Sequence, residues 1–170
     1  MALRTIRTFG DPVLEKTCRP VENMTPRLKT LVEDMLETMY EANGVGLAAP
    51  QVGVLRRIVV IDTSFEEPQP IVLVNPEILE TEGEQTGDEG CLSLPGKSGT
   101  VTRPMKVKVK AFDIDMQPFE LEGEGLLARA ICHECDHLDG VVYTSKVEGE
   151  LHDTVYADEE EEEAEEETEE

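Results

Sequence analysis

The sequence predicts an α+β fold in which mixed or antiparallel sheets pack around a late helix, with an amphipathic helix near the N-terminus. Two observations predict this class. Strand-forming segments follow one another through the middle of the chain, and strong helix formers are concentrated in one early and one late segment. Because the strands are not separated by regular crossover helices, a doubly wound α/β sheet is not expected.

The first predicted element is a helix within residues 25–44. Thr25 is a suitable N-cap, Pro26 suits the first turn, and Gly44 can end the helix. Apolar residues recur at helical spacing and define one buried face. The residues of this face are Leu28, Leu31, Val32, Met35, Leu36, Met39 and Tyr40.

The middle of the chain predicts four strands. Residues 56–62 and 71–78 are runs rich in β-branched residues, bounded by turn formers. In residues 105–113 apolar residues alternate with lysines, which predicts a strand with a lysine-bearing solvent face. The turn-forming segment "DIDMQP" then leads into residues 119–123, so the last two strands are expected to form a hairpin.

Length and charge indicate one acidic domain. The 170 residues carry a formal net charge of -23, and we expect a single domain over residues 1–157 followed by an acidic, disordered tail over residues 158–170. An acidic surface repels nucleic acids and anionic membranes, so neither is expected as a partner. No apolar run has the length of a membrane span and no signal peptide is recognisable, so we expect a cytoplasmic protein with reduced cysteines.

The late helix, predicted over residues 124–138, contains an H-E-x-x-H motif. Because His133 and His137 are four positions apart, their imidazoles lie on one helix face and can converge on a single metal ion. Glu134 is displaced by one position, so it flanks the ion as a base instead of ligating it. The spacing therefore predicts a metal-binding helix.

The same helix contains a C-x-x-C pair, Cys132 and Cys135. Zinc sites of this type use a second ligand pair, and the chain has no second C-x-x-C, so these cysteines are expected to be small packing residues. A catalytic metal site needs a third protein ligand beside the two histidines and an open position for water. The candidates for that third ligand are Cys91, His152, Asp136 and Asp139.

Three motifs occur along the chain: "GVGLAAPQ" at 44–51, "EGCLS" at 89–93 and "HECDH" at 133–137. In sequence, order and spacing they resemble the motifs of peptide deformylase, the family of enzymes that remove the formyl group from the initiating methionine of new bacterial polypeptides. The resemblance covers roughly Thr5 to Tyr143 and implies a metallohydrolase domain. The acidic tail lies outside it.

The resemblance implies that Cys91, His133 and His137 bind one metal ion per chain. It implies Fe(II), with sensitivity to oxygen. A thiolate ligand also suits Zn(II), Ni(II) or Co(II) better than Mg(II), because it is a soft donor.

The resemblance also implies the residues that carry out the reaction. Glu134 is the expected catalytic acid and base, and the Gln51 amide with the backbone N–H of Leu92 is expected to bind the developing oxyanion. Gly46 is expected to offer its backbone to the substrate as a neighbouring strand. The apolar pocket for the methionine side chain is expected to include Val45, Leu126 and Ala130.

N-formylmethionyl nascent peptides are the implied partners, and the resemblance allows transient proximity to the ribosome; a monomer is expected. Ser98 stands where some relatives carry an arginine that contacts the substrate, so substrate preference is expected to differ. Arg103 is expected to pair with Glu89 beneath the site. Arg129 is expected to extend outward from the late helix.

Two other functions are compatible with parts of this pattern. One is a different H-E-x-x-H metallopeptidase that cuts internal peptide bonds, but such enzymes normally take His or Glu as the third ligand, and "EGCLS" argues against it. The other is an inactive metal-binding module. The presence of Glu134 and Gln51 argues against inactivity, and kinetics decide the question.

Overall fold

The computed structural model describes residues 2–154, and the acidic tail predicted over residues 158–170 lies outside these residues. The described chain contains two α-helices and eight strands. The helices are α1 (Pro26–Glu41) and α2 (Leu126–Leu138). The strands are β1 (Gly46–Ala48), β2 (Ile58–Ile61), β3 (Ile71–Glu82), β4 (Gln85–Cys91), β5 (Leu94–Arg103), β6 (Lys106–Phe112), β7 (Pro118–Glu124) and β8 (Glu148–Asp153).

The strands form two sheets. The larger sheet has the order β1-β2-β3-β6-β7, and the smaller one has the order β4-β5-β8. Neighbouring strands within each sheet are antiparallel. The predicted α+β class is therefore confirmed, and the sheets are antiparallel rather than mixed. Within residues 2–154, no helix is both long enough and apolar enough to cross a membrane.

Helix α1 begins as the sequence predicts. The Thr25 hydroxyl accepts a hydrogen bond from the backbone N–H of Leu28 at 3.2 Å, which satisfies one free donor of the first turn. The helix ends at Glu41, and the residue with left-handed backbone is Asn43 (φ 55°) instead of Gly44. The buried apolar residues of α1 are Leu31, Val32, Met35 and Met39, whereas Tyr40 is exposed.

Strand β2 lies at the centre of the core and is buried on both faces. Ile58 and Val60 belong to the apolar cluster that contains α1, and Val59 and Ile61 belong to the cluster that contains α2. All four side chains are fully buried. Burial on both faces explains why this segment is continuously apolar and does not alternate. The two helices therefore pack on opposite faces of the larger sheet.

The lysines of β6 point away from Val107, Val109 and Ala111, which are buried in the core, and Lys106 and Lys110 are exposed, as predicted. Each lysine faces a glutamate on both neighbouring strands, so the row is neutralised locally and forms no basic patch. The pairs are Lys106 with Glu82 and Glu124, Lys108 with Glu80 and Glu122, and Lys110 with Glu77 and Glu120.

Candidate active site

Three side chains predicted as metal ligands meet between the smaller sheet and α2. Cys91 lies at the end of β4, and His133 and His137 lie one turn apart on α2. Their ligand atoms all lie within 4.8 Å of one another, and the Cys91 Sγ is 3.3 Å from the His137 Nε2. Ligands of a tetrahedral ion with bonds of 2.0 to 2.3 Å are about 3.5 Å apart. The donor set therefore fits one metal ion.

His133 is oriented by Glu89. The Nδ1 atom of His133 donates to the Glu89 Oε2 at 2.8 Å, which leaves Nε2 free to face Cys91 and His137. Burial lowers the pKa of His133, but hydrogen bonding to Cys91 and Glu89 outweighs burial and raises the pKa well above its ordinary value. Metal binding at Nε2 therefore displaces a proton.

His137 is neutral in the same site. Burial, followed by the nearby charge of His133, lowers the pKa of His137 to about 3. Its Nδ1 atom is buried and has no hydrogen-bond partner in the described part of the chain. A neutral imidazole is the form that ligates metals, so His137 needs no deprotonation before it binds an ion.

Glu89 lies at the centre of a buried ion-pair network beneath these ligands. Arg103 donates to both Glu89 oxygens, at 3.0 and 2.6 Å, and Arg129 donates to Oε1 at 3.0 Å. The predicted Arg103–Glu89 pair is present. The prediction for Arg129 is wrong: this residue is 8% exposed and also donates to the carbonyl of Val101 at 3.1 Å, because the buried Glu89 carboxylate attracts it inward.

Glu134 lies beside the three ligands and is buried. Its Oε1 is 3.8 Å from the His133 Nε2, and its Oε2 has no hydrogen-bond partner among the described residues. Burial raises the pKa of this carboxyl to about 7. Gly46 faces it so closely that a Cβ at that position would lie 2.9 Å from Oε1. The carboxyl group is therefore suited to exchange a proton near neutral pH.

The Gln51 amide has a fixed orientation. Its Oε1 accepts from the backbone N–H of Ala48 at 2.9 Å, so Nε2 points toward the ligands. This Nε2 donates to the Ser93 Oγ at 3.1 Å and to the Cys91 Sγ at 3.4 Å. The geometry presents one N–H donor group at the edge of the candidate metal site.

The residues predicted to contact substrate lie around β1 and the start of α2. Gly46 is in β1, an edge strand of the larger sheet whose second edge is unpaired within the described chain. The Leu92 side chain packs directly against Gly44, the residue before Val45: a Cβ added to Gly44 would lie 2.6 Å from the Leu92 Cδ1. Leu126 and Ala130 are one turn apart on α2; Leu126 is 42% exposed, and Ala130 is buried.

The other candidate ligands lie elsewhere or have other partners. His152 is exposed on β8 and faces Asp88 at 3.3 Å. Asp136 binds Arg103 and Lys146, at 2.7 and 3.0 Å. Asp139 forms an ion pair with Arg57. The two cysteines of the C-x-x-C pair, Cys132 and Cys135, are part of the apolar core.

Comparison with known proteins agrees with this geometry. The family model described as polypeptide deformylase matches residues 3–152. A peptide deformylase of Lachnoclostridium phytofermentans is 66% identical over 163 residues, which cover 96% of this chain and 100% of the relative. One of Agathobacter rectalis is 66% identical over 158 residues, which cover 93% and 98%.

The chain belongs to the polypeptide deformylase family. Solved deformylases share its fold. The enzyme from Legionella pneumophila superposes with a TM-score of 0.83 at 48% identity, covering 86% of each chain. The Thermotoga maritima enzyme superposes with a TM-score of 0.82 at 42% identity, covering 86% of this chain and 99% of the other.

Sequence reasoning did not find every residue that shapes this deformylase site. Ser93 binds Gln51, and Glu89 binds His133 directly, yet neither was expected to contact a site residue. A signal for Glu89 exists, because residues two apart on a strand point to the same side. Glu89 and Cys91 are two apart on β4, so a ligand at Cys91 predicts that Glu89 faces α2 as well.

Proposed function

We propose that this chain removes the N-formyl group from the N-terminal methionine of newly synthesised polypeptides, with release of formate. The observation that carries the proposal is the convergence of Cys91, His133 and His137 beside the Glu134 carboxyl in a deformylase fold. The proposed setting is the cytoplasm, with N-formylmethionyl nascent chains as partners, transient proximity to the ribosome, and a monomeric enzyme.

Cys91, His133 and His137 are the proposed ligands of one divalent ion. One thiolate and two imidazoles suit Fe(II), Zn(II), Ni(II) or Co(II) and disfavour Mg(II), and Fe(II) is the ion we propose for the cell. When bound, the ion supplies Lewis acidity that lowers the pKa of a water molecule and polarises a carbonyl oxygen. Glu89 supports this set by fixing the ring of His133.

The proposed substrate lies along the open edge of β1 as an added strand. Such docking pairs the peptide backbone with the strand edge and directs alternate side chains into pockets. Gly46 is suited to this role because it lies on that edge and lacks a side chain that would displace Glu134. The methionine side chain is assigned to the apolar surface formed by Val45, Leu126 and Ala130.

Glu134 is the proposed proton carrier. Its carboxylate accepts a proton from the water that attacks the formyl carbon, and it later delivers that proton to the departing amine. The pKa of about 7 suits both steps, because neither the acid nor the base form is strongly disfavoured near neutral pH. The C–N bond of the formamide breaks, and formate and a free N-terminus leave.

The Gln51 Nε2 and the backbone N–H of Leu92 are the proposed donors to the oxygen that becomes negative during the attack. The Gln51 amide is oriented by its bond to Ala48, so Nε2 already faces the site, and donation to the oxyanion replaces one of its bonds to Ser93 and Cys91. Removing one such donor typically costs about 3 kcal/mol of transition-state stabilisation. Gln51→Ala is therefore expected to lower kcat roughly a hundredfold.

The test is anaerobic purification of the full chain, elemental analysis and an assay with a formyl-methionyl tripeptide, beside a casein assay for internal cleavage. We expect about one ion per chain, release of formate and intact casein. Glu134→Gln is expected to keep the ion and to lose most turnover, because it lacks the titrating carboxyl. Casein cleavage, or full activity of Glu134→Gln, contradicts the proposal.

The cysteines provide a matched set of variants for the metal site. Cys91→Ala is expected to lose the ion, because the thiolate is one of three ligands. Cys132→Ala and Cys135→Ala are expected to retain it, because both side chains belong to the apolar core. Metal content of the three purified variants decides this, and retention of a full equivalent by Cys91→Ala refutes the assignment.

A further inference from the structure

A groove of about 880 Å³ lies between the N-terminal segment, the chain before α1 and the first turns of α1. None of the residues that line it belongs to the candidate active site. Four arginines line it, which is half of the eight arginines in a chain of net charge -23. They are Arg4, Arg19, Arg27 and Arg56.

Three of these guanidinium groups lack a carboxylate partner among residues 2–154. Arg4 binds Asp34 at 2.9 Å, but no ion pair of the described chain includes Arg19, Arg27 or Arg56. The other five arginines each form an ion pair with an acidic residue: Arg4 in the groove, and Arg7, Arg57, Arg103 and Arg129 outside it. Arginines without an acidic partner are therefore concentrated in the groove. The groove therefore has unused capacity to bind anions.

The backbone holds two of these arginines opposite each other. Arg19 and Arg56 pair in a short parallel bridge, and the N–H of Arg57 donates to the Arg19 carbonyl at 3.0 Å. Like charges on adjacent positions repel each other unless an anion lies between them. This fixed pair therefore favours an anionic occupant over an empty groove.

Beside the arginines the groove is lined by four apolar residues, Val21, Leu28, Leu31 and Val54, and by one acidic residue, Glu22. A monoatomic anion would leave this surface bare. An extended run of glutamates covers it better, because each side chain lays two methylene groups on apolar surface and carries its carboxylate to a guanidinium. The chemistry of the groove thus points to an acidic peptide segment.

We propose that the groove binds the chain's own acidic segment, residues 158–170, which contains one Asp and ten Glu. The described chain ends at Thr154, whose backbone N–H binds the Gly96 carbonyl at 2.9 Å. Sixteen residues follow in the sequence and span at most roughly 50 Å when extended. A domain of this size has a radius of gyration of about 15 Å, and residues that span the distance from Thr154 cannot also line the groove, so the distal glutamates of the segment are the ones proposed to bind there.

Tethering favours this occupant over a free polyanion. An attached segment has an effective concentration of the order of millimolar, whereas a free nucleic acid must approach against the net charge of -23. Binding through carboxylate and guanidinium groups at a partly open groove weakens with salt. The acidic segment therefore occupies the groove at low ionic strength and leaves it at high ionic strength.

The first test measures how fast a protease that cuts after glutamate removes the acidic segment from the full-length protein, by mass spectrometry. At low salt the Arg19→Gln, Arg27→Gln, Arg56→Gln triple variant is expected to lose the segment about fivefold faster than the native chain. The control, Lys16→Gln with Lys106→Gln and Lys110→Gln, removes three exposed positive charges outside the groove. Its cleavage rate is expected to match that of the native chain.

Equal cleavage of native protein and arginine variant overturns the proposal, as does equal acceleration in the lysine control. In 0.5 M salt the difference is expected to vanish. A 12-nucleotide RNA that binds the full chain, and no longer binds the arginine variant, would assign the groove to phosphate backbones and also overturn it.

A second measurement leaves the groove unchanged and does not depend on how the arginine variant folds. The side-chain Nε–H signals of arginine are compared by NMR between the native protein and a variant with Asp158→Asn and the ten tail glutamates changed to glutamine. Signals of Arg19, Arg27 and Arg56 are expected to shift, and that of Arg7, which pairs with Asp11, is expected to stay. Identical spectra overturn the proposal.

Discussion

The Nδ1 atom of His133 lies 2.8 Å from the Oε2 atom of Glu89, and both side chains are buried. This contact joins the last turns of α2 to β4, so it links the two elements that supply the proposed ligands. Burial alone raises the pKa of Glu89, but hydrogen bonds from His133 and Arg103 outweigh it and lower the pKa to about 2. The carboxylate is therefore charged wherever the enzyme works.

Glu89→Gln is expected to weaken metal affinity by about 10- to 100-fold, because a carboxylate that binds the far nitrogen of a ligating histidine fixes the ring and increases its basicity. Competition with a chromogenic chelator measures this affinity on folded protein. Asp88→Asn is the control, since Asp88 is the preceding residue of β4 and faces His152 at the surface. Equal affinity of native and Glu89→Gln protein contradicts the positioning role.

Arg129→Met is expected to lower the free energy of unfolding by about 3 kcal/mol, because it leaves the buried Glu89 charge with fewer donors and the Val101 carbonyl without this partner. Methionine keeps much of the aliphatic volume, so the loss reports the charge. Urea denaturation of the metal-free protein measures it. Arg57→Met, which removes a more exposed ion pair, is expected to cost about 1 kcal/mol or less.

The parts of the fold that the sequence predicts are those with local signals. The histidine spacing on α2 and the alternation in β6 each depend on residues a few positions apart, and both appear in the structure as expected. The smaller sheet was not predicted as a unit. Its strands contain many glycine and polar residues, and β8 is exposed along its whole length, so no apolar periodicity marks them.

The buried charges of the site could not be predicted for a related reason. Arg129 occurs on a helix where an arginine commonly reaches solvent, and only its contact with Glu89, 40 positions away in sequence, holds it inside. The Glu89–His133 bond joins residues 44 positions apart. Such pairs depend on how β4 packs against α2, and motif resemblance identifies the ligands without identifying what supports them.

Gly46→Ala is expected to lower kcat/KM about a hundredfold or more while the metal content stays unchanged. The added Cβ would lie 2.9 Å from the Glu134 Oε1 and 3.0 Å from its Cγ, so the carboxyl group must move, and small displacements of catalytic groups cost about this much. The formyl-peptide assay measures the loss. Gly87→Ala is the control, because a Cβ there makes an ordinary 3.7 Å contact with Arg129.

Glu134 is expected to make the metal-free protein less stable as pH rises. Burial raises its folded-state pKa to about 7, above the unfolded value of about 4.3. The contribution of the Glu134 carboxyl to the free energy of unfolding is therefore fully present below about pH 4.3 and is lost as pH rises through about 7. Relative to native protein, Glu134→Gln is expected to gain about 3 kcal/mol between pH 4 and pH 8.

Urea denaturation in the presence of a chelator measures this difference at each pH. Glu89→Gln provides a control of opposite sign, because the pKa of Glu89 is lowered to about 2. The stabilising contribution of Glu89 is present above the unfolded pKa and is lost as pH falls through about 2, so the native protein gains relative to Glu89→Gln as pH rises from acid. If the stability of native protein and of Glu134→Gln changes in parallel from pH 4 to pH 8, the Glu134 carboxyl titrates as if it were exposed. That result would remove the basis for its role as a proton carrier near neutral pH.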